Sequence, residues 1–208
     1  MTVIVLNLGE LDTNCYILWD APDRALVVDP ADSPQRILAV LEQKGLTLQA
    51  VVLTHAHFDH MLAAEAVCAA TGAPLWVGRG DEPTLSDPNR NLSVWLSGAG
   101  GVKGISLTAD RLLQEGDVLS LGAETFTVWE TPGHTPGCIC LVGEGTVISG
   151  DTLFCGSIGR TDFPGGDMTI MRASLSRLMT LPENVAVYSG HGPATTIGRE
   201  KATNPFLR

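Results

Sequence analysis

The sequence predicts an α/β chain of the mixed α+β kind, with two sheets packed on each other and helices outside them. Three observations lead there. Short runs of aliphatic and β-branched residues recur in both halves of the chain, separated by Gly, Pro, Asn and Asp. Hairpin-length connections join many of these runs, which argues against a single doubly wound parallel sheet. The few segments with apolar residues at helical spacing fall between the strand-like runs rather than in one block.

The first strands are expected at residues 3–8, 15–19 and 25–28. A helix follows, with Ser33 as N-cap, Pro34 at its first position, Ile37, Leu38, Val40 and Leu41 as its apolar stripe, and Gly45 as its stop. Residues 50–54 form a buried strand that runs into a histidine cluster. Residues 61–70 read as a helix ended by Gly72, and 74–77 as a strand. The stretch 78–103 is rich in Gly, Pro, Ser, Asp and Asn and reads as a loop excursion that can border a site. In the second half, strands are expected at 118–121, 125–129, 139–142 and 146–149. Asp167 is placed to cap a helix carrying Ile170, Met171, Leu175 and Leu178, with Pro182 beyond its end, and 185–188 is the last strand. Phe126 and Trp129 are expected in the core, and Trp95 is placed where it can shape a pocket. No linker divides the chain, so residues 1–208 read as one domain.

The composition is that of an ordinary globular protein, 44% hydrophobic and 17% charged. A net charge of −10, with three Lys and ten Arg scattered along the chain, disfavours a nucleic-acid partner. The five cysteines include no C-x-x-C pair. Cys138 and Cys140 would share one face of a strand, a poor geometry for a disulfide, so reduced thiols are expected. With no basic leader at the N-terminus and no long apolar run, the expectation is a soluble cytoplasmic protein without membrane contact.

The chemistry concentrates in Thr54-His55-Ala56-His57-Phe58-Asp59-His60, which holds three of the five histidines. His134, His191 and Asp151 each follow a glycine just past a strand-like run. Four such runs thus release potential metal ligands at their carboxyl ends, where sheets assemble sites. His55 and His57, two apart at a strand end, can ligate one ion together, and His134 completes that trio. After a bend, Asp59 and His60 can serve a second ion with His191, while the two oxygens of Asp151 can bridge both. Imidazole and carboxylate without thiolate suit zinc, iron or manganese, with zinc the first expectation. Two such ions would hold and acidify a water between them. An H-E-x-x-H protease is excluded because Ala56 follows His55 and Asp59 stands where that motif has its second histidine. No G-x-S-x-G marks a serine nucleophile.

These residues resemble the metallo-β-lactamase superfamily. The resemblance runs from Asn14 to Phe206 and includes Gly133-His134-Thr135-Pro136-Gly137, Gly150-Asp151-Thr152-Leu153-Phe154 and Gly190-His191-Gly192. It implies a four-layer αββα sandwich. One ion would be held by His55, His57 and His134, a second by Asp59, His60 and His191, with Asp151 bridging. Asp59 also carries the candidate catalytic role. The run Val27-Val28-Asp29-Pro30 resembles the early strand of that superfamily ending in an aspartate, which makes Asp29 a candidate for orienting ligands without touching metal.

Within the superfamily the chain is similar to glyoxalase II, and most to its short single-domain hydroxyacylglutathione hydrolase relatives, which lack the C-terminal helical glutathione-binding domain. The resemblance implies hydrolysis of a small-molecule thioester such as S-D-lactoylglutathione by a hydroxide held between the ions. Arg160 would grip a glutathione carboxylate. The family places tyrosines where this chain has Pro193 and Asp162, so glutathione would be held differently. The alternative is a persulfide dioxygenase, which the stretch from Gly159 to Phe163 also resembles. It would bind one iron through His55, His134 and Asp151.

Overall fold

Alternation along the strands sorts the apolar residues of this chain onto three separate cores. The structure, a computed structural model, describes residues 1–20, 23–95 and 104–207. Strands β1 (Thr2–Leu8), β2 (Thr13–Asp20) and β3 (Arg24–Val28) pair antiparallel in order. β3 continues in parallel to β4 (Thr47–Leu53), then β5 (Leu75–Gly78) and β6 (Arg111–Leu113). Helix α1 (Pro34–Lys44) lies between β3 and β4. Two short helices, α2 (Phe58–Met61) and α3 (Ala64–Thr71), precede β5, and α4 (Glu82–Ser86) follows it. The second sheet is an antiparallel meander of β7 (Val118–Leu121), β8 (Glu124–Glu130), β9 (Ile139–Gly143) and β10 (Thr146–Gly150). After the small hairpin β11 (Leu153–Phe154)–β12 (Ser157–Ile158) and helix α5 (Met168–Leu178), strand β13 (Ala186–Ser189) joins parallel to β10. It is followed by β14 (Thr195–Thr196) and helix α6 (Ile197–Thr203).

Period-two alternation explains the layering. On β2, β3 and β4, residues Ile17, Val27 and Val51 pack outward beneath α1 and α3. Their neighbours Leu18, Leu26 and Val52 point into the space between the sheets. Phe126, Val128, Ile139, Leu141 and Ile148 of the second sheet fill that same space. Cys140, Val147 and Val187 face the other way and pack with Met171, Leu175 and Leu178 of α5 and Ile197 of α6. The result is helices, sheet, sheet, helices: the αββα sandwich the resemblance implies. Each fully buried Leu or Ile in these cores contributes about 1.5–3 kcal/mol relative to exposure.

Every strand expected from the sequence is present, within a few residues at its ends. Asp167 caps α5 as expected, accepting from the backbone N–H of Thr169 at 2.7 Å and of Ile170 at 3.0 Å. Ser33 stands at the N-cap position of α1 as expected, with Pro34 after it, but its side chain makes no capping bond. Its φ is 49°, in the left-handed region, and its hydroxyl turns back to Asp32 at 3.0 Å. The helix expected over 61–70 is divided, because the N–H of Ala63 bonds the carbonyl of Pro30 at 2.9 Å instead of continuing the helical ladder. The stretch expected as loop from 78 contains α4, and its residues 96–103 lie outside the described ones. Phe126 is core, whereas Trp129 is half-buried on the outer face under the Arg177 guanidinium, 4.1 Å above its ring. All five cysteines are free thiols, with Cys15, Cys138 and Cys140 buried. Among the described residues no helix is long and apolar enough to cross a membrane.

Candidate metal centre

β4 ends at Leu53, and the next turn carries the ligand candidates. Asp29, just past the parallel neighbour β3, fixes that turn. Its Oδ1 accepts the backbone N–H of Thr54 and its Oδ2 the Thr54 hydroxyl, both at 2.7 Å. Asp29 has a φ of 52°, a left-handed conformation that aspartate tolerates better than most residues. The same Oδ2 lies 2.9 Å from Nδ1 of His60. The expected orienting role of Asp29 thus has a defined geometry: it holds the His60 ring from behind.

The sequence candidates converge. Nδ1 of His57 and Nε2 of His134 are 2.9 Å apart, and the rings of His55 and His57 meet edge to face. Nε2 of His60 and Nε2 of His191 are 3.4 Å apart, and Asp59 Oδ2 lies 3.3 Å from Nε2 of His191. Two groups, His55–His57–His134 and Asp59–His60–His191, each gather their ligand atoms within 4.8 Å of one another. Asp151 joins them: its Oδ2 lies 3.6 Å from Nε2 of both His134 and His191, and its Oδ1 3.4 Å from Nε2 of His60.

These residues fit divalent ions. Ligand atoms at ~2.1 Å around a tetrahedral centre sit roughly 3.4 Å apart, the separation seen here. Nε2 of His55 and Oδ1 of Asp151 are buried without a hydrogen-bond partner, a costly condition that coordination relieves. The far nitrogens are spoken for. Nδ1 of His134 donates to the carbonyl of Arg160 at 2.7 Å, and Nδ1 of His191 to that of Leu11 at 3.0 Å. A carbonyl only accepts, so Nδ1 keeps its proton and the neutral form of each ring presents its Nε2 lone pair to a metal.

Electrostatics divide the two groups. Burial, reinforced by the surrounding imidazoles, holds His55 well below the ordinary histidine range, and burial followed by His134 brings His57 down to about 3. Burial pulls on His60 as well, but Asp151, Asp59 and Asp29 together outweigh it and lift it to about 10. His191 is raised against its own burial by Asp59 and Asp151. Burial works against the Asp59 carboxylate, yet His60 and His191 hold it well below the usual carboxylate range, so it is ionised.

Three supports were not foreseen from the sequence. Buried Asp81 accepts from the N–H of Ala56 at 2.9 Å, the Thr135 hydroxyl at 2.7 Å and the N–H of Gly137 at 2.9 Å. It thereby ties the His55–His57 turn to the His134 loop. Burial lifts its carboxyl above the ordinary value while those three bonds pull the other way. Asn14 on β2 donates to the carbonyls of Ser189 and Gly192, gripping the loop of His191 from both sides. Gly190 must be glycine, because a Cβ there would occupy the position of Asp151 Oδ1 and press on the His60 ring at 2.7 Å.

The ligand cluster floors a cavity of about 580 Å³ walled by Leu11, Phe58, Trp95, Phe154 and Phe163. Trp95 thus borders the site as its position suggested. Arg160 lies at the rim, but its guanidinium is already paired: Nε and Nη2 each donate to Asp162 at 2.7 Å.

A family model described as the metallo-beta-lactamase superfamily matches residues 8–191. The chain belongs to the metallo-beta-lactamase superfamily. With a cluster able to hold metals, it is a metallo-hydrolase of that superfamily. It is 37% identical over 208 residues to the probable metallo-hydrolase YqgX of Bacillus subtilis, covering 97% of this chain and 95% of the relative. It is 33% identical to the hydroxyacylglutathione hydrolase GloC of Haemophilus influenzae, covering 100% and 98%. Among solved structures, BLEG-1 B3 metallo-beta-lactamase matches with a TM-score of 0.92 at 40% identity, covering 99% of each chain. TTHA1623 in a di-iron-bound form matches at 0.87 and 37%, covering 99% and 100%. ETHE1 from Myxococcus xanthus matches at 0.79 and 30%, covering 99% of this chain and 84% of that one.

Proposed function

We propose that this protein is a dinuclear metal-dependent thioesterase acting on small-molecule thioesters, glutathione thioesters such as S-D-lactoylglutathione among them. The observation that carries the reading is the pair of complete ligand groups joined by Asp151 on the floor of one cavity. His55, His57 and His134 would hold one ion, Asp59, His60 and His191 the other, and Asp151 both. Zinc suits this donor set, and the similarity to a di-iron protein keeps iron alongside it. Bound there, two divalent ions supply a water acidified to near-neutral pKa and polarise the substrate carbonyl.

The chain's own groups do the rest. The carbonyls of Arg160 and Leu11 and the carboxylate of Asp29 hold three imidazoles in one orientation, so no reorganisation is needed as charge develops. Asp59 is ionised and lines the cavity, so it is placed to accept a hydrogen bond from the attacking water and orient it. Water adds to the acyl carbon, the C–S bond breaks, and the thiol leaves with the proton. The apolar walls of Phe58, Phe154 and Phe163 shield the ester from bulk water. The similarity to hydroxyacylglutathione hydrolase GloC supports a glutathione thioester.

Zinc-loaded protein is expected to hydrolyse S-D-lactoylglutathione, followed by loss of thioester absorbance, and a chelator is expected to abolish the activity until zinc is restored. Fully loaded protein that leaves acyl thioesters intact would overturn the reading.

A further inference from the structure

We propose that Asp162 tunes the charge selectivity of the cavity mouth, holding the Arg160 guanidinium so that its grip on an anionic thiol arm such as that of glutathione is weakened. The inference deepens the thioesterase reading and rests on it. Among the described residues that line the cavity, Arg160 is the one lysine or arginine, so at the rim, away from the metal-binding floor, the side-chain cation available to a substrate carboxylate is its guanidinium. That guanidinium is committed on two sides. Its Nε and Nη2 edge is filled by the two oxygens of Asp162, each at 2.7 Å, in the fork geometry an external carboxylate would use. One face lies over the ring of Phe163, 3.8 Å from its centre. Phe163 is in turn held edge-on by Trp95 at 5.3 Å and His57 at 5.8 Å.

Position and charge state agree with this. The carbonyl of Arg160 bonds Nδ1 of His134, which anchors the residue beside the ligand cluster. The hydrogen bond from Arg160 brings the Asp162 carboxyl down to about 2, so the pair is ionised on both sides at neutral pH. The two charges cancel at the mouth of a chain whose net charge is −10. An anionic thiol arm can therefore take the Nε–Nη2 fork only by displacing Asp162, which weakens its hold on the cation. Both side chains are more than half exposed, so the effect is screened and modest.

The test uses binding, so it does not require turnover. Zinc-loaded protein is titrated calorimetrically with S-hexylglutathione, a non-hydrolysable thiol arm with two carboxylates, and with its diethyl ester, which keeps the same amino group and lacks both carboxylates. Asp162→Asn is expected to tighten S-hexylglutathione about two- to fivefold relative to the diester, with the gain lost in the Arg160→Gln, Asp162→Asn double variant. An unchanged ratio, weaker binding of the free acid, equal changes in both ligands, or no binding to either protein would overturn the proposal. Failure of the thioesterase reading shows instead as absent turnover in the zinc-loaded wild type.

Discussion

His57 and His60 stand three residues apart and are driven in opposite directions, down to about 3 and up to about 10. The cause is the company each keeps: His57 is buried against other imidazoles, His60 against three carboxylates. A histidine with a raised value holds its proton through neutral pH, so an ion must displace that proton to bind. As pH falls below about 10, protons therefore compete increasingly for His60, and for His191 whose value is also raised, while His55 and His57, both driven down, take up protons last. Metal content after dialysis at stepped pH is expected to fall first to one ion per chain and only later to none; loss of both in one step would contradict the division. All seven ligand candidates were legible in the sequence, because their types and their places after strand-like runs carry the chemistry. Asp81 was not, since a carboxylate that works by accepting backbone N–H groups leaves no spacing signature.

At the scale of elements, the centre is a set of loop ends cross-tied by buried side chains. Asp81 links the β4 turn to the loop after β8, and its removal strands two backbone N–H groups and a hydroxyl. Asp81→Ala is expected to cost roughly 2–4 kcal/mol, each orphaned buried group contributing about 1–3 less whatever water recovers. Thermal denaturation with and without zinc checks this. The expected result is a lowered Tm and weakened zinc binding together, with Asp81→Asn intermediate, and an unchanged Tm would contradict the role. The strands were legible here, since each is a run of β-branched and aliphatic residues. The division of the helix after His60 was not. It depends on a bond from Ala63 to Pro30, 33 residues earlier in the chain, and no local pattern encodes that contact. Two-residue strands such as β11 and β14 escape for the same reason: their pairing partners, not their composition, define them.

Across the whole molecule, two sheets present their loop ends to one edge of the sandwich. β4 and the turn after it deliver His55, His57, Asp59 and His60. The second sheet delivers His134 after β8, Asp151 after β10 and His191 after β13. Neither sheet alone completes either ligand group, because His134 and His191 come from one sheet and their partners from the other. Packing of the two sheets through Leu18, Leu26, Phe126 and Ile148 is thus a condition for the centre to exist. The layered architecture was legible from alternation and hairpin-length connections, whereas the Arg160–Asp162 pair that closes the cavity rim was not. Arg160 reads in sequence as a free cation, and only the turn of the loop brings Asp162 onto its fork.

The central claim is that this edge holds two ions at once. The most direct test is elemental analysis of metal per chain, combined on the same sample with thioester hydrolysis and oxygen uptake on glutathione persulfide. The structure leads us to expect two divalent ions per chain, thioester cleavage and no oxygen consumption. One iron per chain with persulfide-dependent oxygen uptake would contradict it, and would assign the chemistry to His55, His134 and Asp151 as a persulfide dioxygenase.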